Sequence, residues 1–129
     1  MSRPNIVYVF ADQLNYNALG CNGNPVVQTP TFDRLAREGL SFDNAFSSCP
    51  ISSPYRGQIF TGRYSHANGV VCNEYALFGK QKTLPQCLNS AGYNTAFVGK
   101  WHLGHGPYTE EKRQGFDELC GYNCGHDYY

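Results

Sequence analysis

Asn5-Ile6-Val7-Tyr8-Val9-Phe10-Ala11-Asp12-Gln13 is a near-continuous run of β-branched, aromatic and small apolar side chains that stops abruptly at a carboxylate. A strand with one wet face would alternate; unbroken apolarity is what a strand covered on both faces requires. Such strands belong to sheets flanked by helices, so the segments that follow decide the class. A polar stretch rich in Asn and Gly leads to Gln28, and TPTFDRLAREGL (Thr29–Leu40) then carries the marks of a helix. Thr29 is a cap, Pro30 suits the first helical position, Gly39 suits the exit, and Phe32, Leu35, Ala36 and Leu40 share one face. Leu40–Phe46 (LSFDNAF) reads as a short second strand, and another helix begins near Pro54. TLPQCLNSAGYN (Thr83–Asn94) repeats the logic: Thr83 and Gln86 have capping-box spacing, Leu84, Cys87, Leu88 and Ala91 form the apolar face, and Gly92 ends the helix. Tyr93–Gly99 is the next strand and runs into Lys100-Trp101-His102. Strands alternating with helices predict an α/β fold with a mainly parallel sheet.

Composition narrows the function classes. Of 129 residues, 41% are hydrophobic and 16% charged, which suits one domain with a real core. Ten basic and ten acidic side chains cancel, so neither nucleic acid nor an anionic membrane surface is expected as a partner. No apolar run reaches the length of a membrane span. Met1-Ser2-Arg3-Pro4 leads straight into the first strand without a secretory leader. The expected location is the periplasm if a leader has been removed, and otherwise the cytoplasm. Cys21, Cys49, Cys72, Cys87, Cys120 and Cys124 lack the doubled close spacing of a zinc site and read as free, partly buried thiols.

In parallel sheets, ligands gather at the carboxyl ends of the strands. Asp12 ends one predicted strand and Lys100-Trp101-His102 follow another; if the strands are neighbours, these residues face one crevice. CPISSPYRGQIFTGRY (Cys49–Tyr64) supplies a third component. A Ser52 or Ser53 cap before Pro54 starts a helix whose free N–H groups carry partial positive charge, and Arg56 and Arg63 add full charges. An oxyanion such as sulfate or phosphate would be stabilised there, and a hydroxyl could act on it. On spacing alone the plainer reading is a capped helix with two solvated arginines.

The wider pattern is more specific. Asp12, then Ser52-Ser53-Pro54-Tyr55-Arg56 leading to Thr61-Gly62-Arg63, then Gly99-Lys100-Trp101-His102-Leu103-Gly104, together resemble the type I sulfatases. PNIVYVFADQ, TPTFDRLAREGLSFDNAF and GFDELCGY are similar to stretches of that family too, so the resemblance runs from Pro4 to about Tyr122. It implies an alkaline-phosphatase-like α/β sandwich, of which residues 1–129 would be the amino-terminal part of the catalytic domain. It implies hydrolysis of sulfate esters of carbohydrates or aryl compounds. Ser52 falls on the residue that a maturase oxidises to formylglycine, whose hydrate attacks sulfur and then expels sulfate as the aldehyde re-forms. Arg56 matches the arginine that holds this residue, Lys100 the lysine that contacts sulfate and nucleophile, and His102 the histidine that assists elimination. Asp12 matches a ligand of the divalent cation, Ca2+ with Mg2+ as the alternative, and oxidised Ser52 adds a further oxygen. Gln13 stands where many members carry a second aspartate; its amide oxygen is still a hard ligand.

Serine instead of cysteine at position 52 resembles the bacterial branch matured by a radical enzyme, the alternative being an engineered cysteine-to-serine change. Tyr55 replaces the commoner serine of the motif and reads as local packing. The family's other metal ligands, second histidine and leaving-group lysine are expected downstream of Tyr129, and His105, His126 and Asp127 do not take those roles. Activity is therefore expected of the full-length enzyme and not of these 129 residues. Two other readings stay open: a non-catalytic piece that associates with itself, and a phosphodiester or phosphonate hydrolase using unmodified Ser52.

Overall fold

A computed structural model describes residues 3–79 and 81–124. Its elements are α1 (Pro30–Glu38), α2 (Ser52–Thr61), α3 (Ser65–Asn68), α4 (Leu84–Ser90), β1 (Ala96–Lys100) and β2 (Glu118–Tyr122), with short 3-10 turns at Tyr16–Ala18 and Gly20–Asn22. Among the described residues no helix is long and apolar enough to cross a membrane. The chain divides into two units, Met1–Ala45 and Phe46–Tyr129.

In the first unit α1 forms where its sequence signals place it, with Pro30 in the first turn. Thr29 does not cap it in the ordinary way: its hydroxyl donates to Asp33 Oδ1 at 2.9 Å and accepts the Gly20 N–H at 2.8 Å. Asp33 also accepts the Cys21 N–H at 2.7 Å, so two side chains of the helix start hold the preceding 3-10 turn in place. Two strand expectations fail here. Asn5–Ala11 has no regular secondary structure and joins no ladder among the described residues, and Val7 and Val9 are more than 80% exposed. Unbroken apolarity reports that a segment needs cover; it does not supply the hydrogen-bonded neighbours that make it a strand. Leu40–Phe46 is likewise irregular, bending at Asp43 and Asn44. The predicted face of α1 does line one groove, with Leu14 and Leu19 opposite Phe32, Leu35 and Leu40.

The second unit has a parallel two-stranded sheet, β1 on β2, in the register Ala96↔Glu118 to Lys100↔Tyr122. β1 sits where the sequence predicts it. β2, within GFDELCGY, was not legible as a strand, because a short stretch with Glu, Cys and Gly has little β propensity of its own. An aromatic core lies against β1: Phe60 stacks on Trp101 with ring centroids 5.5 Å apart, and Phe97 and Phe116 meet Phe60 edge-on at 5.7 and 5.4 Å. Such pairs contribute on the order of 1 kcal/mol each beyond area burial.

α2 presents Ser53, Arg56, Gly57 and Phe60 inward, a spacing of three and four that defines one helix face. That face changes character along its length, polar at the start and aromatic at the end, so α2 carries no clean apolar stripe. A Cβ on Gly57 would lie 3.2 Å from Val70 and from Asn68 Nδ2, so glycine lets α2 approach this neighbour closely. Gly62, at φ 64°, ends the helix in the left-handed conformation and returns its N–H to Gln58 at 2.8 Å.

α4 begins with the predicted capping box: Thr83 accepts the Gln86 N–H, and the Gln86 side chain accepts the Thr83 N–H at 3.0 Å. Its inward side chain is Pro85, whereas Leu84 and Cys87 of the predicted apolar face are exposed, a rotation that Thr83 imposes by being buried. All six thiols are free, as expected, though only Cys49 and Cys72 are partly buried.

Thr83 also donates to the Gln114 carbonyl at 2.5 Å and so ties the α4 start to the loop before β2. Thr83→Ala is expected to lower the unfolding free energy by about 2 kcal/mol, and Thr83→Ser to recover more than half of that loss. Urea unfolding followed by fluorescence of Trp101, the single tryptophan, measures this; a loss below about 0.5 kcal/mol would refute the double role.

Candidate active site

The start of α2 differs from the sequence expectation in a way that matters for chemistry. Ile51 is the cap residue, Ser52 and Ser53 are the first two helical positions, and neither hydroxyl caps the helix. Pro54 is the third residue, still inside the first turn where a missing N–H costs nothing. Of the first-turn amides, that of Ser53 is used by Asn73 Oδ1 at 3.0 Å and Pro54 has none. The helix end thus offers fewer free N–H groups than the sequence suggests, and side chains carry more of the electrostatics.

Freed from capping, the Ser52 hydroxyl meets two functional groups. Arg56 Nη1 donates to Ser52 Oγ at 2.9 Å and to the Ser52 carbonyl at 3.2 Å, one helical turn apart. His102 Nδ1 lies 2.9 Å from the same Oγ. A hydroxyl has one proton and two lone pairs, so this one can accept from the guanidinium while donating to an unprotonated imidazole nitrogen. Arg56 is only 3% exposed, and its Nε donates to the Lys100 carbonyl at 3.0 Å. One guanidinium therefore fixes both the side chain of residue 52 and the end of β1, which its planar fork of donors suits and a lysine ammonium would not.

β1 delivers His102. The ladder continues through the Trp101 N–H, which donates to the Tyr122 carbonyl at 2.7 Å, and Trp101 is buried among the core aromatics. His102 then turns out of the strand with φ 50°. A non-glycine residue in the left-handed region costs on the order of 1 kcal/mol and persists where its surroundings hold it.

The structure thus brings together Ser52, Arg56 and His102 by their side chains, and Lys100 by its main chain. Arg63 does not belong to this group: it is exposed and lies beyond Gly62, past the far end of the helix that Ser52 begins. Asp12 and Gln13 lie in the first unit, in the turn that follows the Asn5–Ala11 segment, with Gln13 at φ 55°. Their oxygens are the hard donors that Ca2+ or Mg2+ prefers, but two residues are part of a six- to eight-oxygen set. Among the described residues no group of three or more His, Cys, Asp or Glu side chains could hold a metal. His105 is exposed, with Nδ1 3.1 Å from Asn123 Nδ2, and His126 and Asp127 lie outside the described residues.

Sequence reasoning missed Asn73 and Glu74, in the loop after Val70. Nothing in its spacing marks Asn73, which acts on a residue 20 positions away, and Glu74 meets its neighbour Cys72 in a loop without a recognisable pattern. Asn73 takes the Ser53 N–H, as above. The Glu74 carboxyl is held below its ordinary range, first by the Cys72 thiol that donates to it and then by its own main-chain N–H. The same contact pushes the Cys72 thiol upward.

These features match known proteins. The family model described as Sulfatase matches residues 4–129. An ulvan-active sulfatase of Formosa agariphila is 43% identical over 98% of this chain and 26% of its own length. An N-acetylglucosamine-6-O-sulfatase of Bacteroides thetaiotaomicron is 42% identical over 98% of this chain and 22% of its own. A solved structure in complex with its substrate D-glucosamine-2-N,6-O-disulfate superposes with a TM-score of 0.82 at 42% identity, covering 92% of this chain and 23% of that one. The chain spans about a quarter of the length of these curated relatives. Its α/β architecture with a parallel sheet is part of an alkaline-phosphatase-like fold. The chain belongs to the sulfatase family.

Proposed function

We propose that this chain carries the nucleophile segment of an enzyme that hydrolyses sulfate esters of carbohydrates, with residue 52 as the attacking group. The observation that supports it best is the pair of 2.9 Å contacts at Ser52 Oγ, one from Arg56 Nη1 and one with His102 Nδ1. A hydroxyl flanked by a fixed cation and a proton acceptor has what nucleophilic substitution at sulfur needs: orientation, a destination for the proton and an opposing charge. The relatives act on ulvan and on N-acetylglucosamine-6-O-sulfate by name, which favours a sulfated glycan over an aryl ester.

In this reading a maturase oxidises Ser52 to formylglycine, and of the two hydroxyls of its hydrate one attacks sulfur with release of the substrate alcohol while deprotonation of the other expels sulfate as the aldehyde re-forms. Arg56 orients residue 52 and balances negative charge, His102 exchanges a proton with one of its hydroxyls, and Lys100 contacts the sulfate. Asp12 and Gln13 would contribute oxygen ligands to a divalent cation, with Ca2+ the better match to their donor chemistry and Mg2+ the alternative. When bound, that cation would polarise the sulfate oxygens.

Intact and peptide mass spectrometry after co-production with a serine-type maturase tests the nucleophile. Loss of two hydrogens localised to Ser52, together with turnover of 4-nitrophenyl sulfate by the full-length enzyme, is expected. An unmodified Ser52 combined with hydrolysis of an aryl phosphodiester would move the assignment to a phosphodiesterase. The 129 residues alone are expected to show no turnover, since they provide few cation ligands; hydrolysis that His102→Ala abolishes would overturn this. In the full-length enzyme Arg56→Lys keeps the charge but not the fork, and kcat is expected to fall on the order of 100-fold. Parent-like steady-state kinetics in that variant would remove Arg56 from the site.

A further inference from the structure

The hydroxyl of Ser53 has no part in the chemistry assigned above, yet the residue is fully buried and stands where three segments meet. A serine in the first turn of a helix ordinarily satisfies itself on its own backbone. This one reaches across the fold instead. Its Oγ donates to the His102 carbonyl at 2.5 Å and lies 3.4 Å from the Asn73 carbonyl, while its N–H is held by Asn73 Oδ1 at 3.0 Å. The carbonyl it grips belongs to the residue whose backbone is at φ 50°.

Two consecutive serines therefore hold one histidine from both ends, Ser52 at the ring and Ser53 at the main chain. Adjacent helical positions point about 100° apart, given 3.6 residues per turn, so the two hydroxyls reach different parts of His102 without competing. An imidazole tethered only at its ring could still swing with a strained, unsupported peptide behind it. We infer that Ser53 is a positioning residue: its hydroxyl fixes the His102 peptide so that Nδ1 meets the side chain of residue 52, and Asn73 fixes Ser53 in turn. The inference rests on residue 52 being the nucleophile.

The test uses full-length enzyme with residue 52 converted, and two readouts. In kinetics on 4-nitrophenyl sulfate, Ser53→Ala is expected to lower kcat by about 10- to 100-fold with KM within about twofold, because a displaced proton-transfer group affects the reaction more than binding. Ser53→Thr keeps the hydroxyl and is expected to return to within about threefold of the parent. In hydrogen–deuterium exchange, read on converted and unconverted protein, Ser53→Ala is expected to speed exchange in peptides covering residues 101–104 while α4 is unchanged. Should Ser53→Ala not fold, Ser53→Cys, a weak donor of similar size, is expected to fall between Ala and Thr in both readouts. Parent-like kcat with parent-like exchange in Ser53→Ala would overturn the inference. So would exchange raised throughout the protein with no recovery by Thr, since that marks a residue that only stabilises the fold. If the parent shows no sulfatase turnover, the functional reading fails by itself. Exchange at residues 101–104 then decides the clamp alone: faster exchange supports it and unchanged exchange defeats it.

Discussion

The Arg56 guanidinium joins parts of the chain 44 residues apart, and the arrangement of the site follows from that connection. Burying a full charge is costly unless its donors are matched, and here the Ser52 hydroxyl, the Ser52 carbonyl and the Lys100 carbonyl accept from it. Because the accepting groups lie on α2 and at the end of β1, satisfying the arginine docks the helix on the strand. The aromatic cluster of Phe60, Phe97, Trp101 and Phe116 secures the same junction from the apolar side. Polar and apolar forces thus converge on one helix–strand contact, and Ser52, Arg56 and His102 sit at its polar end.

The motif that carries the family resemblance mixes residues of two kinds. Ser52 is held by Arg56 and meets His102. Thr61, Gly62 and Arg63 finish the helix: the Thr61 hydroxyl donates to the Gly57 carbonyl at 2.6 Å, Gly62 reverses the chain at φ 64°, and Arg63 faces solvent. A pattern in sequence records what a segment needs in order to be both built and reactive, and only geometry separates the two.

Much of this was legible before the structure. Local signals that depend on residues three or four apart located α1, α2 and α4, and the Thr83–Gln86 box appears as written. Ser52, Arg56 and His102 were singled out by the resemblance of their motifs to a family, spacing alone favouring a plain capped helix, and the structure places their side chains together. What the sequence did not reveal depends on partners far along the chain. Asn5–Ala11 has the composition of a buried strand, but pairing is a property of neighbours and not of composition. β2 was hidden for the opposite reason, since β1 and not its own residues makes it a strand. The grip of Ser53 and the role of Asn73 lie in contacts spanning 20 to 49 residues, which no local pattern encodes.

Gly57 has a further consequence. Its Cβ would stand 3.2 Å from Val70 and from Asn68 Nδ2, so a larger side chain at position 57 would press α2 away from this neighbour and carry the Ser52–Arg56 end of the helix with it. Close packing behind the helix leaves variation to the surfaces around it, which can change without moving Ser52 or Arg56.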